Sequence, residues 1–103
     1  MPHSPDAAQN LADAREALAC GALARAADHA WRAAAAAASI GDERSLEGLL
    51  DLVAELAQST SGREHADAEQ LGLYVREALK DAREGTRPPS AFERLLGRDR
   101  RPR

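Results

Sequence analysis

Apolar residues recur at helical spacing in four stretches of the chain. Intervals of three and four residues place side chains on one face of an α-helix. The four stripes are Leu11, Ala14 and Leu18; Leu23, Ala26, Ala30, Ala33 and Ala37; Leu46, Leu49, Leu50, Val53 and Leu56; and Ala68, Leu71, Val75, Ala78, Leu79 and Ala82. No stretch alternates apolar and polar residues for long enough to indicate a strand. The pattern therefore predicts an all-α fold with four main helices.

Residues that typically begin and end helices separate these stripes. Ser4 is placed to cap the first helix, with Pro5 at its first position, and Asp42 is placed to cap the third. Ser61 and Glu64 have the spacing of a capping box for the fourth helix. Glycines, which suit a left-handed helix end, follow three of the stripes at Gly21, Gly41 and Gly85.

The connections between these helices are only a few residues long. Short connections make successive helices antiparallel neighbours, so the first helix should pair with the second and the third with the fourth. We expect two helical hairpins, arranged either as a tetratricopeptide-like stack or as a four-helix bundle. The run of alanines at 33–38 makes the second helix apolar on all sides. Such a helix is either central in the fold or covered by a partner.

The character of the chain changes after Gly85. Pro88 and Pro89 end the helical pattern, because proline lacks the backbone donor and biases the preceding residue toward extended conformations. Ser90 and Glu93 then have capping-box spacing and predict a short C-terminal helix of one or two turns over 91–96. We therefore divide the chain into a helical domain at 1–85 and a Pro/Arg-rich tail at 86–103.

The second helix resembles the second helix of a tetratricopeptide repeat. Members of that family place glycine between the two helices of a repeat and small residues seven apart on the second, as at Gly21, Ala26 and Ala33. The resemblance covers residues 7–84 as two degenerate hairpins, and their period, from Gly21 to Gly62, is 41 residues, where the family has 34. It implies peptide or protein binding without catalysis.

The composition predicts a thin core. Apolar residues make up 44% of the chain, but many are alanine, and there is one Phe, one Trp and one Tyr. Alanine has the highest helix propensity but buries little apolar surface. Tertiary packing must then depend on the leucines, which favours self-association or a protein partner.

Charge is divided unevenly between the two segments. Residues 1–86 carry fifteen acidic and eight basic side chains, a net charge of −7, whereas residues 87–103 carry six arginines and two acids, a net charge of +4. An acidic ladder on the third helix predicts a solvated face or a docking surface for a basic segment, such as the tail itself. The ladder consists of Glu43, Glu47, Asp51 and Glu55.

The residues that carry chemistry do not cluster in the sequence. His3, His29 and His65 lack the compact ligand spacing of a zinc site. Cys20 lies at a predicted helix C-terminus, where the dipole disfavours a thiolate, so we expect a small buried apolar side chain rather than a nucleophile. The sequence therefore predicts no catalytic residue, no metal, no cofactor and no enzymatic activity.

Trp31 is the most distinctive single residue, because it stands among small ones. It is either a packing anchor or part of a contact surface, where tryptophan is favoured. Leu73 and Tyr74 fall off the apolar stripe of the fourth helix. The candidate protein-contact residues are Trp31, Leu73, Tyr74, Phe92, Leu95 and Leu96.

These observations predict a non-enzymatic protein-interaction module that either self-associates or binds another protein. The alternative function is a small nucleic-acid-associated regulator that uses the basic tail. Its candidate contacts are Arg94, Arg98, Arg100, Arg101 and Arg103. The acidic body opposes this alternative, because it would repel phosphate.

The sequence also predicts where the protein is found. Residues 1–6 lack the basic start and the apolar stretch of a signal peptide. No apolar run has the length of a membrane span. A cytoplasmic protein without a membrane partner is the expectation.

Overall fold

A computed structural model describes residues 3–84, and helices make up nearly all of them. The helices are α1 (Pro5–Ala19), α2 (Leu23–Ile40), α3 (Glu43–Ser59) and α4 (Gly62–Arg83), and this range contains no strand. The all-α prediction with four main helices is confirmed. The predicted C-terminal helix and basic tail lie outside the described residues.

The helix ends follow the capping residues closely. The Ser4 hydroxyl oxygen accepts a hydrogen bond from the Ala7 N–H at 3.0 Å at the start of α1. At the start of α3, the Asp42 carboxylate accepts from the Ser45 N–H at 3.2 Å. The glycines after α1 and α2 have φ values of +79° and +72°, in the left-handed region that favours glycine.

The predicted capping box at the start of α4 is wrong. Ser61 occupies the N-cap position, but its side chain makes no hydrogen bond to the helix. Gly62, the first helical residue, has a φ of +62°, so the chain enters α4 with a backbone geometry that a regular capping box does not have. The end of this hairpin is instead bridged by His65, whose Nδ1 donates to the Ala57 carbonyl oxygen at 2.8 Å.

The four helices form two hairpins that stack in an open order. The closest neighbours are α1 with α2 and α3 with α4; in addition, α2 contacts α3 and α4, and α3 contacts α1. Within residues 3–84, α1 and α4 are not neighbours, so the helices do not close into a ring as in a compact bundle. Like α3, α2 contacts all three other helices, so its apolar character on several sides is explained by its central position.

The core is built from leucines on one side and alanines on the other. Large fully buried apolar side chains come from α3 and α4, whereas the buried residues of α2 are all alanine. Leu50, which we placed on the apolar stripe of α3, is only half-buried, and Leu52 is buried instead. The reason is that α3 packs against three helices and buries a wider face than one stripe. The large side chains are Leu46, Leu49, Leu52, Leu56, Leu71 and Val75.

A buried carboxylate joins the starts of the two hairpins. Asp42 is 1% exposed, and its Oδ2 accepts from the Ser4 N–H at 2.9 Å and from the Ser45 hydroxyl at 2.8 Å. Burial raises the pKa of Asp42, but the hydrogen bonds from Ser4 and Ser45, with a smaller contribution from nearby His3, lower it by more. The net result is a pKa below the ordinary value of 3.8.

Replacement of Asp42 should destabilise the fold strongly. Asp42→Ala removes the cap of α3 and leaves the buried Ser4 N–H without an acceptor, so we expect a loss of about 2–4 kcal/mol in the free energy of unfolding. Asp51→Ala, an exposed acid on the same helix, is the matched control and should cost less than about 0.5 kcal/mol. Urea unfolding followed by circular dichroism measures both, and equal losses would contradict the linking role of Asp42.

The same carboxylate makes stability depend on pH. Because the pKa of Asp42 is lower in the folded than in the unfolded protein, its contribution is complete above the ordinary value of 3.8. It is lost as pH falls through that value toward the folded-state pKa. The difference in unfolding free energy between the wild type and Asp42→Asn should therefore shrink between pH 6 and pH 3. A difference of constant size across that range would show that Asp42 does not titrate as described.

Candidate protein-contact surface

Trp31 and Tyr74 meet on the surface between α2 and α4. Their ring centroids lie 5.8 Å apart with an interplanar angle of 41°, within the range of favourable aromatic pairs. Trp31 remains 39% exposed and Tyr74 40% exposed. Trp31 thus packs against one side chain of the other hairpin and is not part of the buried core. The two rings form a continuous aromatic patch that faces solvent.

A shallow groove lies nearer the starts of α2 and α4, where these two helices meet the end of α3. Its volume is about 240 Å³, and Leu23, Ala24, Ala27 and Leu56 supply its apolar lining. Ala24 precedes Trp31 by seven residues, and Asp67 precedes Tyr74 by seven, so the groove lies about two helical turns, roughly 10 Å, from the aromatic pair along both helices. We call the aromatic pair and this groove together the α2–α4 surface.

The rim of the groove is acidic. Glu64 and Asp67 line it from the first turns of α4 and are both exposed. Thr60 also lines it, and its hydroxyl donates to the Leu56 carbonyl oxygen at 2.9 Å. The α2–α4 surface therefore combines an apolar floor, two exposed rings and two carboxylates, a combination that suits a segment with apolar and basic side chains.

Leu73 does not belong to the α2–α4 surface. It is 53% exposed and lies in a groove between α3 and α4, together with Leu50 and Val53. Adjacent residues on a helix point about 100° apart, so the neighbouring Tyr74 faces α2 while Leu73 faces α3. The structure therefore separates two candidate contact residues that are adjacent in the sequence.

The acidic ladder of α3 is partly matched by an arginine. Arg83, near the end of α4, lies 2.8 Å from Glu47 and 3.8 Å from Glu43 through its guanidinium nitrogens. All three side chains are substantially exposed, so these pairs add little to stability. The other half of the ladder, Asp51 and Glu55, is exposed to solvent.

Cys20 is exposed, contrary to our prediction of a buried side chain. It occupies the C-cap position of α1, directly before the left-handed Gly21, where the chain leaves the face that α1 buries with Ala14 and Ala17. A residue at such a turn projects from the end of the helix instead of into the core.

The histidines lie in three separate places. His3 lies 4.0 Å from Asp42, His29 contacts the Asn10 side chain at 3.2 Å, and His65 bridges the α3–α4 turn and contacts Glu69 at 3.3 Å. Within residues 3–84, no three His, Cys, Asp or Glu side chains come together in a way that could hold a metal ion. In the same range, no helix is long and apolar enough to cross a membrane.

Several candidate residues lie outside the described range. These are the apolar positions Phe92, Leu95 and Leu96 and the basic positions Arg94, Arg98, Arg100, Arg101 and Arg103. The sequence also gave no indication of the contact between Ser4 and Asp42, because the two residues are 38 positions apart. The sequence likewise did not predict that Trp31 and Tyr74 contact each other, although it predicted each of them as a contact residue.

Comparison of the chain with protein-family models, with curated proteins and with solved structures found no match.

The contact between the two rings should be measurable as a coupling. Trp31→Ala and Tyr74→Ala should each lower the free energy of unfolding modestly, because both rings are partly exposed. The double variant should lose less than the sum of the two, by about 0.5–1.5 kcal/mol. Urea unfolding of the four proteins gives this value. Strict additivity would mean that the rings do not interact.

Proposed function

We propose that the protein is a non-enzymatic interaction module that binds a basic peptide segment of a partner protein on the α2–α4 surface. The observation that carries this proposal is the exposed Trp31–Tyr74 pair about two helical turns from an acid-rimmed apolar groove. Tryptophan and tyrosine are among the side chains that contribute most to binding when a partner covers them. The tetratricopeptide resemblance of the sequence implies the same class of function and is part of the proposal.

Charge supports a basic partner rather than nucleic acid. The described residues, 3–84, carry fifteen acidic and eight basic side chains, a net charge of −7. On the α2–α4 surface, Glu64 and Asp67 border the apolar groove directly. Such a rim attracts lysine or arginine side chains and repels phosphate. A segment with one large apolar side chain between basic residues meets both requirements of the surface.

The single tryptophan gives a direct test, because its fluorescence reports on this surface. Peptides selected from a random displayed library on the full-length protein should contain an apolar side chain flanked by basic residues. Their binding should shift Trp31 emission to shorter wavelength as water is excluded. Tyr74→Ala and Asp67→Lys should each weaken binding at least about tenfold.

Asp51→Lys is the matched control for this experiment. It makes the same charge reversal on the exposed side of α3, away from the groove, and should leave affinity within about twofold. If the selected peptides bind without changing Trp31 emission, or equally well to Tyr74→Ala, the proposed surface is wrong. If they are acidic, the proposed partner chemistry is wrong.

A second measurement tests whether the protein self-associates through the same surface. Light scattering coupled to size exclusion gives the molar mass over a range of concentrations. A dimer that Trp31→Ala converts to a monomer would replace the basic peptide with a second copy as the partner. A wild-type monomer is the result that the proposal expects.

A further inference from the structure

The surface between α3 and α4 carries a second groove, which the α2–α4 surface does not include. Two adjoining depressions of about 390 and 340 Å³ share Leu50 and Arg76 and run along both helices as far as Glu84. We call them together the α3–α4 groove. Its apolar lining consists of Leu50, Val53, Ala54, Ala57, Ala68, Gly72, Leu73 and Leu79.

The corresponding place on the first hairpin is already filled. There α3 packs against both α1 and α2. The approach is close at Gly48, where an added Cβ would lie 3.0 Å from a methyl carbon of Leu11 and 3.0 Å from the Arg15 guanidinium. The outer face of the first hairpin is thus covered by α3, the next helix along the chain. On the second hairpin, no element within residues 3–84 takes that place.

The next part of the chain has the pattern needed to fill it. Phe92, Leu95 and Leu96 follow the same spacing of three and four residues as Leu49, Leu52 and Val53, which α3 buries. Three apolar side chains at this spacing form one face of a short helix.

The described part of the chain also ends at the α3–α4 groove. Glu84 itself lines the α3–α4 groove. Five residues, 85–89, separate it from Ser90. An extended segment of that length spans roughly 17 Å, which is enough to turn back onto the face of α3 and α4.

Charge favours this segment over a more basic occupant. Arg76, Lys80 and Arg83 line one part of the groove together with Glu84, and Glu69 lines the other part, so the basic side chains are in excess. The full tail at 87–103 has a net charge of +4, but the segment 90–96 contains one acid, Glu93, and one base, Arg94. A neutral segment meets no net repulsion there, and its glutamate can face the basic side chains of α4.

We propose that residues 90–96 pack into the α3–α4 groove of the same chain as a fifth helix, with Phe92, Leu95 and Leu96 covering Leu73 and Leu50. This assigns the three apolar tail residues to an internal contact rather than to a protein partner. The assignment is independent of the proposed function of the α2–α4 surface.

Hydrogen exchange of the full-length protein tests the proposal residue by residue. In the wild type, the amides of the helix formed by 90–96 should exchange at least about tenfold more slowly than in an unfolded peptide of that sequence. Leu73→Arg should abolish this protection, because it places a charge in the groove. Tyr74→Arg, the matched control on the other face of α4, should preserve it.

The same hydrogen-exchange measurement shows whether each variant is folded. Leu73 is 53% exposed, so its replacement should leave the amides of α3 and α4 protected. Unprotected amides at 90–96 in the wild type, or protection that survives Leu73→Arg, would overturn the proposal. Protection that increases with protein concentration would also overturn it, because the segment would then cover the groove of a second copy.

A stability measurement gives a second readout. Phe92→Asp should lower the midpoint of thermal unfolding by roughly 4–8 °C, since it removes apolar burial and introduces a charge against the groove. Arg98→Asp, outside the proposed helix, should shift it by no more than about 2 °C. Equal midpoints for the wild type and Phe92→Asp would contradict the packing of the segment.

Discussion

The Asp42 carboxylate is the constraint on which the arrangement of the hairpins depends. It caps α3 and accepts the backbone N–H of Ser4, the residue that caps α1, so one buried charge serves the beginnings of two helices. The positive ends of both helix dipoles face it, which favours its ionised form despite burial. Because these bonds have directions, they fix the register between the hairpins. Many of the buried apolar residues are alanine, and each of these buries little apolar surface.

The alanines of α2 determine what reaches the surface. Small side chains let α2 lie close to three helices at once, and the large apolar side chains that are fully buried come from α3 and α4. The buried face of α2 consists of alanines, and Trp31 lies outside that face. Trp31 and Tyr74 therefore stack against each other at the surface, each about two fifths exposed. A thin core and an aromatic patch are two results of the same close packing.

Local signals in the sequence predicted the helices well. They could not predict contacts between residues that are far apart in the chain. Ser4, Gly21 and Asp42 act within a few residues of the chain, so their roles could be inferred from spacing. Ser61 failed as a capping residue because the positive φ of Gly62 changed the local backbone. The separation of Leu73 from Tyr74 onto two surfaces required knowledge of which helices flank α4. Cys20 was misplaced because a helical stripe says little about side chains beyond the last turn.

In this open order of helices, the aromatic pair is one of the contacts that join the two hairpins. Trp31 belongs to the first hairpin and Tyr74 to the second, and α1 and α4 do not meet to brace the two hairpins against each other. The distance between the ring centroids, 5.8 Å, is thus a distance between the two hairpins. A partner bound on the proposed surface would therefore contact both hairpins at once.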